Sequence, residues 1–151
     1  MGLGIGNFSD CLAEFRYGDQ IAADLELGHQ RGVNSTPSFF LNDQPIVGAY
    51  PLDFFNSAIV QARAGESISV EPEQPAQPSV KPTPAVVFMD DIAANKGEPT
   101  APVTIVEYPD YQCPYCARHA TSTLPLVLVE MVETGRVRYI IKDFPLDNIH
   151  P

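Results

Sequence analysis

Residues 103–116 read VTIVEYPDYQCPYC, an apolar run that leads into two cysteines separated by two residues. Residues 103–108 predict a buried strand, and residues 117–134 follow a helical pattern. A strand that feeds a helix places Cys113 at the helix N-terminus, where free backbone N–H groups and the helix dipole favour a thiolate. Pro114 fits the first helical turn, because the N–H that it lacks would have no partner there.

The Cys113–Cys116 pair has three possible interpretations: a redox-active dithiol, half of a zinc site, or a structural disulfide. Zinc usually takes four ligands from paired cysteines or histidines, but Cys11 is the one other cysteine and the three histidines show no paired spacing. Three cysteines also leave one unpaired, which excludes a disulfide scaffold. We therefore favour redox chemistry, with no bound metal and no cofactor beyond the redox-active disulfide. Cys11 is expected to be a small packing residue.

The composition limits the classes of partner. A chain of 151 residues with a net charge of -10 argues against nucleic acid and anionic membranes as partners. No apolar run is long enough to span a bilayer, and the N-terminus lacks the basic flank and apolar core of a signal peptide.

The first part of the chain predicts two helices and a hairpin. Residues 7–32 indicate two helical pieces, with Ser9 or Asp10 capping the first, Gly18 breaking it, and Asp19 capping the second. Residues 38–41 predict a strand, residues 42–45 a turn, and residues 46–49 the returning strand. Thr36-Pro37 lies at the start of this hairpin, either as an ordinary strand-start proline or as a cis peptide bond beside the dithiol.

The rest of the chain divides at a proline-rich segment. Residues 51–65 predict an amphipathic helix, and residues 66–84 have the composition of a linker, with five prolines among Glu, Gln and Ser. Beyond it we expect a short strand at 86–89 and a turn at 95–97. The helix after the dithiol should kink at Pro125 and end at Gly135, before a further strand at 137–142.

Four stretches carry a resemblance to a known family: GVNSTPSFFLN (32–42), PIVGAYPLDFF (45–55), EYPDYQCPYC (107–116) and KDFPLDNIHP (142–151). Together they resemble the DsbA-like branch of the thioredoxin superfamily, in permuted order. Residues 1–65 are similar to the family's last half, with its cis-proline hairpin and last helix, and residues 85–151 to its first half. The helical insertion that separates the halves in the family is missing.

Two explanations fit this order: a slice of a tandem protein, or a natural or engineered permutation. We favour the slice, because the family's insertion would then be cut at both chain ends. The two halves supply complementary strands and helices, so we expect an α/β, thioredoxin-like fold assembled from both. Assembly can occur within one chain or between two chains as a domain-swapped homodimer. In either case Pro37 should face Cys113.

The resemblance also implies a reaction and its residues. Cys113 would exchange disulfides with protein or peptide substrates through a mixed disulfide that Cys116 resolves. Pro114 and Tyr115 would tune the potential. The Thr36-Pro37 loop would hold the substrate backbone. A redox partner protein and an extracytoplasmic, periplasmic location follow from the same resemblance, whereas the direction of exchange, oxidase or reductase and isomerase, does not.

Glu107, six residues before Cys113, matches a buried carboxylate that assists proton transfer in the family, or else is a half-exposed carboxylate at the strand end. Arg138 or Lys142 could pair with it from the next strand. Three further residues, Tyr108, Asp110 and Tyr111, are candidates for the mouth of the site, or else ordinary turn and surface residues. His119 is expected to be solvated.

Two other functions compete with the enzyme: a peptide-binding module that keeps the groove without turnover, and a fragment whose halves assemble only as a swapped oligomer.

Overall fold

The computed structural model of the chain describes residues 5–69 and 94–150. Three helices and a hairpin come before the gap at residues 70–93: α1 (Ile5–Ala13), α2 (Gly18–Gln30), β1 (Ser38–Leu41), β2 (Gln44–Val47) and α3 (Leu52–Ala64). After it come β3 (Ala94–Lys96), β4 (Val103–Tyr108), α4 (Pro114–Arg118), α5 (Leu124–Val127) and β5 (Val137–Ile141). π-Helical turns at His119–Thr123 and Leu128–Val132 make residues 114–132 one continuous helical segment.

The described strands form one mixed sheet in the order β2-β1-β4-β5-β3. Strands β4 and β5 are parallel, and every other neighbouring pair is antiparallel. Strand β1, from the first half of the chain, pairs with β4, from the second half, in a register that joins Ser38 to Tyr108. Both halves therefore contribute to the same sheet within one chain.

The core has two layers, because side chains alternate between the two faces of each strand. One face, which includes Ile105 and Tyr139, packs against α3 and the helical segment at 114–132. The other face, which includes Val106 and Tyr108, packs against Leu25 of α2 and the chain beyond β5. This arrangement is the predicted α/β architecture, a sheet covered by helices on both sides.

The hairpin differs from its prediction at the turn. Asn42 and Asp43 alone form the turn, with φ values of 44° and 70°, and β2 begins at Gln44. Left-handed residues at both central positions match the twist of a two-residue hairpin, which a four-residue turn does not need. Pro45 fits into β2 because this strand is at the sheet edge, where a missing N–H breaks no ladder.

The predicted caps of the first two helices are wrong. Ser9 and Asp10 lie inside α1, and the N-cap of α2 is Tyr17, so that Asp19 falls in the first turn. The chain breaks at residues 14–17, before Gly18 rather than at it. The C-terminus of α2 is as predicted: Gly32 has a φ of 80° and its N–H bonds to the carbonyl of His29.

The turn predicted at residues 95–97 begins instead as a strand. Asn95 and Lys96 are not a turn but belong to β3, which pairs with β5 at the sheet edge. The helical segment continues past Pro125, with a π-helical turn on either side of α5, and Gly135 follows its end with a φ of 73°. The strand expected at 86–89 and most of the proline-rich segment lie outside the described residues.

Candidate active site

The dithiol lies at the start of α4, which follows β4 after a short loop. Cys113 is the N-cap of α4, with extended backbone angles, and Pro114 is the first helical residue. The Cys113 N–H donates to the carbonyl of Asp110 at 3.1 Å, and the Cys113 carbonyl accepts from the Ala117 N–H at 3.0 Å. The side chain of Asp110 in turn accepts from the Gln112 N–H at 2.7 Å. These bonds fix the sulfur of Cys113 at the helix N-terminus.

The hairpin of the first half brings a second loop to the same place. The Thr36–Pro37 peptide bond is cis. Because β1 runs antiparallel to β4, the residues before Ser38 meet the residues after Tyr108 at one end of the sheet. The Sγ of Cys113 lies 3.4 Å from the carbonyl oxygen of Thr36.

Cys113 has the environment of a reactive thiol. Burial alone would raise the pKa of its sulfur. Hydrogen bonds from Thr36, from the thiol and backbone of Cys116 and from the Tyr115 N–H outweigh burial, so that the pKa lies below its ordinary value. The Thr36 hydroxyl is buried and has no hydrogen-bond partner other than the Cys113–Cys116 pair among the described residues. It is therefore free to donate to a thiolate at Cys113.

Cys116 is the opposite kind of thiol. Burial raises its pKa to about 12, and the nearby sulfur of Cys113 adds to the effect. Its side chain points into the core side of α4, with 4 % of the residue exposed. At neutral pH Cys116 is therefore protonated and needs a base before it can attack a disulfide.

Glu107 is a buried carboxylic acid on the same side of the sheet. It is 3 % exposed, and burial raises its pKa to about 7, although a hydrogen bond from Tyr139 opposes the shift. Tyr139 Oη donates to Glu107 Oε2 at 2.6 Å. A cavity of about 230 Å³ has both Glu107 and Cys116 in its wall, with Ala117 and Leu124 among the other lining residues. The space is large enough for water to connect the carboxylate with the thiol.

The predicted pairing of Glu107 with Arg138 or Lys142 is wrong. Parallel pairing sets Glu107 beside Ile141, so its side chain shares a face with Tyr139, while Arg138 and Lys142 project to the other face. Lys142 Nζ instead bonds Asp24 of α2 at 2.7 Å, with both side chains nearly buried.

The prediction that His119 is solvated is also wrong. His119 is 1 % exposed and packs against the rings of Phe39 and Phe55. Its Nε2 lies 3.1 Å from Tyr139 Oη. Burial lowers the pKa of His119 to about 4, so the ring is neutral. The spacing of three from buried Cys116 is the sequence signal that indicates an inward side chain.

The three candidates for the mouth of the site have different positions. Tyr108 is fully buried on the face opposite Glu107 and does not line the mouth. Tyr111 is 81 % exposed, and its hydroxyl donates to Asp143 at 2.9 Å. Asp110 is buried and bonds His150 Nδ1 at 2.8 Å. Burial would raise the pKa of Asp110, but hydrogen bonds from His150 and from two backbone N–H groups lower it below its ordinary value.

The remaining candidates lie on the rim. Pro114 and Tyr115 are exposed beside Cys113, and the guanidinium of Arg118 lies 5.4 Å from the centre of the Tyr115 ring. Cys11 is half-buried and lines a groove of about 810 Å³, together with Tyr111 and other residues, next to the segment that precedes Cys113. Within residues 5–69 and 94–150, no three His, Cys, Asp or Glu side chains cluster as metal ligands would.

Comparison with known proteins recognises the half that holds the dithiol. A family model described as thioredoxin matches residues 91–150. This thioredoxin-like region includes both cysteines, Glu107, His119 and Tyr139. No solved structure matches the chain significantly.

Several curated proteins share a short stretch with this chain. It is 41 % identical over 56 residues to "Na(+)/H(+) antiporter NhaA 3" of Salinispora tropica, covering 37 % of this chain and 8 % of that protein. A second relative is "Na(+)/H(+) antiporter NhaA 1" of Salinispora arenicola, at 38 % identity with the same coverage. A third is "Na(+)/H(+) antiporter NhaA 1" of Mycobacterium sp. (strain KMS), at 39 % identity and 9 % of its length. The chain thus spans less than a tenth of the length of these relatives. Among the helices of the described residues, none combines the length and apolar character needed to cross a bilayer.

Proposed function

We propose that this chain is a DsbA-like thiol–disulfide oxidoreductase that exchanges disulfides with protein or peptide substrates through Cys113 and Cys116. The observation that carries the proposal is the inequality of the two thiols. Cys113 sits at a helix N-terminus with its pKa lowered, and Cys116 is buried with its pKa raised to about 12. Both residues are nearly buried, at 5 % and 4 % exposed, so the difference lies in their pKa values, which suit Cys113 to exchange with a substrate and Cys116 to resolve the mixed disulfide.

The oxidising half-reaction proceeds in two displacements. A substrate thiolate attacks the Sγ of Cys113 in the Cys113–Cys116 disulfide, which forms a mixed disulfide and releases Cys116 as a thiolate. A second substrate thiolate then attacks the substrate sulfur of the mixed disulfide. The substrate leaves oxidised and Cys113 leaves as a thiolate. The redox partner protein that takes electrons from the dithiol restores the starting state.

The reducing half-reaction needs a base for Cys116. Thiolate Cys113 attacks a substrate disulfide, which forms the mixed disulfide and expels one substrate thiolate. Cys116 then gives its proton to Glu107 through the shared cavity and attacks Cys113, which releases the second substrate thiolate. A carboxylic acid with a pKa near 7 suits this transfer, because it is part carboxylate and part acid at neutral pH.

The proposed substrate contact is the loop before β1. The backbone at Thr36–Pro37 is adjacent to Cys113, so an extended peptide bound there would carry its cysteine to the reactive sulfur. Pro114 and Tyr115 border the same opening and would tune the potential by their effect on the N–H groups around the thiolate.

The order of the halves is part of the proposal. Residues 1–65 would be the last half and residues 85–151 the first half of a DsbA-like domain, joined by the linker at 66–84. Pairing of β1 with β4 supports assembly within one chain. The same contacts can form between two chains as a swapped dimer, and the mass of the protein in solution distinguishes the two states. The extracytoplasmic location is proposed on the same resemblance.

Trapping the mixed disulfide tests the function. We expect Cys116→Ser to accumulate a covalent adduct with a disulfide-containing peptide, because Cys113 attacks and nothing resolves the product. Cys113→Ser should give no adduct at the dithiol, and both variants should carry Cys11→Ser so that this thiol does not contribute. Mass spectrometry gives the readout. If Cys116→Ser binds the peptide but forms no adduct, the proposed enzyme activity is wrong and the chain is a peptide-binding module without turnover.

A further inference from the structure

Three buried polar side chains form a chain of hydrogen bonds that ends at the proposed base. His119 Nε2 lies 3.1 Å from Tyr139 Oη, and Tyr139 Oη donates to Glu107 Oε2 at 2.6 Å. The three residues are 1 %, 1 % and 3 % exposed. They come from three elements: the π-helical turn after α4, strand β5 and strand β4.

The pattern of donors assigns the proton on the histidine. While Glu107 is ionised its carboxylate can only accept, so the one proton of the Tyr139 hydroxyl goes to Glu107 and the tyrosine oxygen accepts from His119. The neutral ring of His119 must then carry its proton on Nε2. Its Nδ1 is buried and has no hydrogen-bond partner among the described residues. The ring therefore acts on the network through the bond to Tyr139.

We propose that His119 is a positioning residue for the resolving step. By donating its Nε2–H to Tyr139, it holds the tyrosine hydroxyl on Glu107 and so sets the pH at which Glu107 accepts the proton of Cys116. This inference rests on the proposed function. Hydrogen bonds in such chains polarise one another, so a donor behind Tyr139 strengthens the bond that Tyr139 makes to the carboxylate.

Other titratable groups also face Glu107 and have to be held constant in the test. Those that line the cavity with Glu107, or adjoin it through Tyr139, are Cys116, Asp110, Tyr111, Tyr139 and His119. Tyr111 and Asp110 come from the loop after β4, Cys116 from α4 and Tyr139 from β5. Substituting His119 alone leaves the first four in place.

The resolving step can be followed with Ellman's reagent in a Cys11→Ser background. Thiolate Cys113 displaces one thionitrobenzoate, which leaves a mixed disulfide on Cys113. Cys116 passes its proton to Glu107 and attacks the sulfur of Cys113, which forms the Cys113–Cys116 disulfide and releases the second thionitrobenzoate. Stopped-flow absorbance separates the two releases. The pH profile of the second one reports the base.

We expect His119→Phe to move the midpoint of the second release upward by roughly half a pH unit, since the Glu107 carboxylate loses part of its stabilisation. Phenylalanine suits the site because Phe39 and Phe55 already surround the ring. His119→Gln keeps an N–H donor and should restore the wild-type midpoint. Thr123→Val is the matched control: it removes a buried hydrogen bond on the same helical segment, to the carbonyl of Tyr50, and should leave the midpoint unchanged.

The outcomes separate the inference from the function on which it depends. If the wild type does not release the first thionitrobenzoate, the proposed function itself is wrong. Two releases in the wild type, with a midpoint that His119→Phe leaves unchanged, would overturn the role of His119 alone. Tyr139→Phe provides a second route if His119→Phe does not fold: it removes the intervening hydroxyl and should raise the midpoint by roughly one unit. An unchanged midpoint in Tyr139→Phe would also overturn the inference.

Discussion

The sulfur of Cys113 lies 3.4 Å from the carbonyl oxygen of Thr36, a residue 77 positions earlier in the chain. This contact joins the two described segments, residues 5–69 and 94–150, at the proposed reactive atom. It exists because β1 inserts next to β4 in the sheet and aligns Ser38 with Tyr108. The environment of the Cys113 sulfur therefore depends on the half of the chain that does not contain it.

The first prediction concerns the Thr36 hydroxyl. Removing it with Thr36→Val should raise the pKa of Cys113 by roughly one unit, because a hydrogen bond that favours the thiolate is lost. The ultraviolet absorbance of the thiolate, followed against pH in a Cys11→Ser background, measures the effect. Thr36→Ser keeps the hydroxyl and should titrate as the wild type does. If Thr36→Val titrates like the wild type as well, the backbone carbonyl alone governs this contact.

The second prediction concerns the burial of Glu107. Its pKa is about 7 in the folded protein against an ordinary value of 4.5, so between these pH values the folded state holds a proton that the unfolded state has released. The contribution of Glu107 to the free energy of unfolding is therefore fully present below about pH 4.5 and is lost as pH rises toward 7. Glu107→Gln lacks this loss and should be more stable than the wild type by about 3 kcal/mol above pH 7.

Urea unfolding of the reduced protein at several pH values measures this difference. Below the pKa of the unfolded state, the Glu107 carboxyl is protonated in both the folded and the unfolded protein. The advantage of Glu107→Gln should therefore vanish there, which is the internal control. A constant advantage at all pH values would mean that packing, not ionisation, separates the two proteins. The variant should also slow the resolving step, because the amide cannot accept the Cys116 proton.

Sequence patterns predict the local features of this site more accurately than the contacts between its strands. Strand β4 has the predicted bounds, and Cys113 is the N-cap because a strand, a proline and a helical pattern follow one another in the chain. The partner of Glu107 was missed. Alternation gives the parity of residues within a strand, but the choice of Tyr139 over Arg138 depends on the register between β4 and β5, which long-range packing sets.

His119 illustrates a different kind of error. A histidine in an exposed-looking helix is mostly solvated, yet its position three residues after Cys116 puts it on the buried face. The predicted caps of α1 and α2 are wrong for a related reason. Ser and Asp cap helices only where the chain turns, whereas α1 begins at Ile5, before Ser9, and α2 begins at Gly18, before Asp19.

The third prediction concerns the ion pair that joins α2 to the end of β5. Lys142 Nζ and Asp24 Oδ1 are 2.7 Å apart, with side chains 8 % and 5 % exposed. Lys142→Met should destabilise the protein by about 3 to 5 kcal/mol, because it leaves the Asp24 carboxylate buried without its partner. The double variant with Asp24→Leu should recover much of this loss.

Chemical unfolding of the two single variants and the double variant completes this cycle. Recovery identifies the unpaired charge as the source of the damage. If the losses of the single variants simply add in the double variant, the two charges are not coupled and the salt bridge contributes nothing measurable. The mass of the same variants in solution also tests how the halves assemble. If the two halves assemble within one chain, loss of the ion pair should leave the monomer mass unchanged.

The fourth prediction concerns Gly28, where α2 packs against the rings of Phe144 and Tyr108. A Cβ at this position would lie 2.5 and 2.6 Å from two ring carbons of Phe144 and 3.2 Å from the ring of Tyr108. Gly28→Ala should therefore destabilise the protein by about 1 to 3 kcal/mol, despite the better helix propensity of alanine. Gly6→Ala in α1 is the matched control: nothing lies within 4 Å of its added Cβ, so it should cause no loss. Equal stabilities of the two variants in thermal unfolding would show that α2 does not pack tightly against Phe144. The clash falls on the chain that follows β5, so Gly28→Ala should also weaken the bond from the Leu146 N–H to the side chain of Asp110.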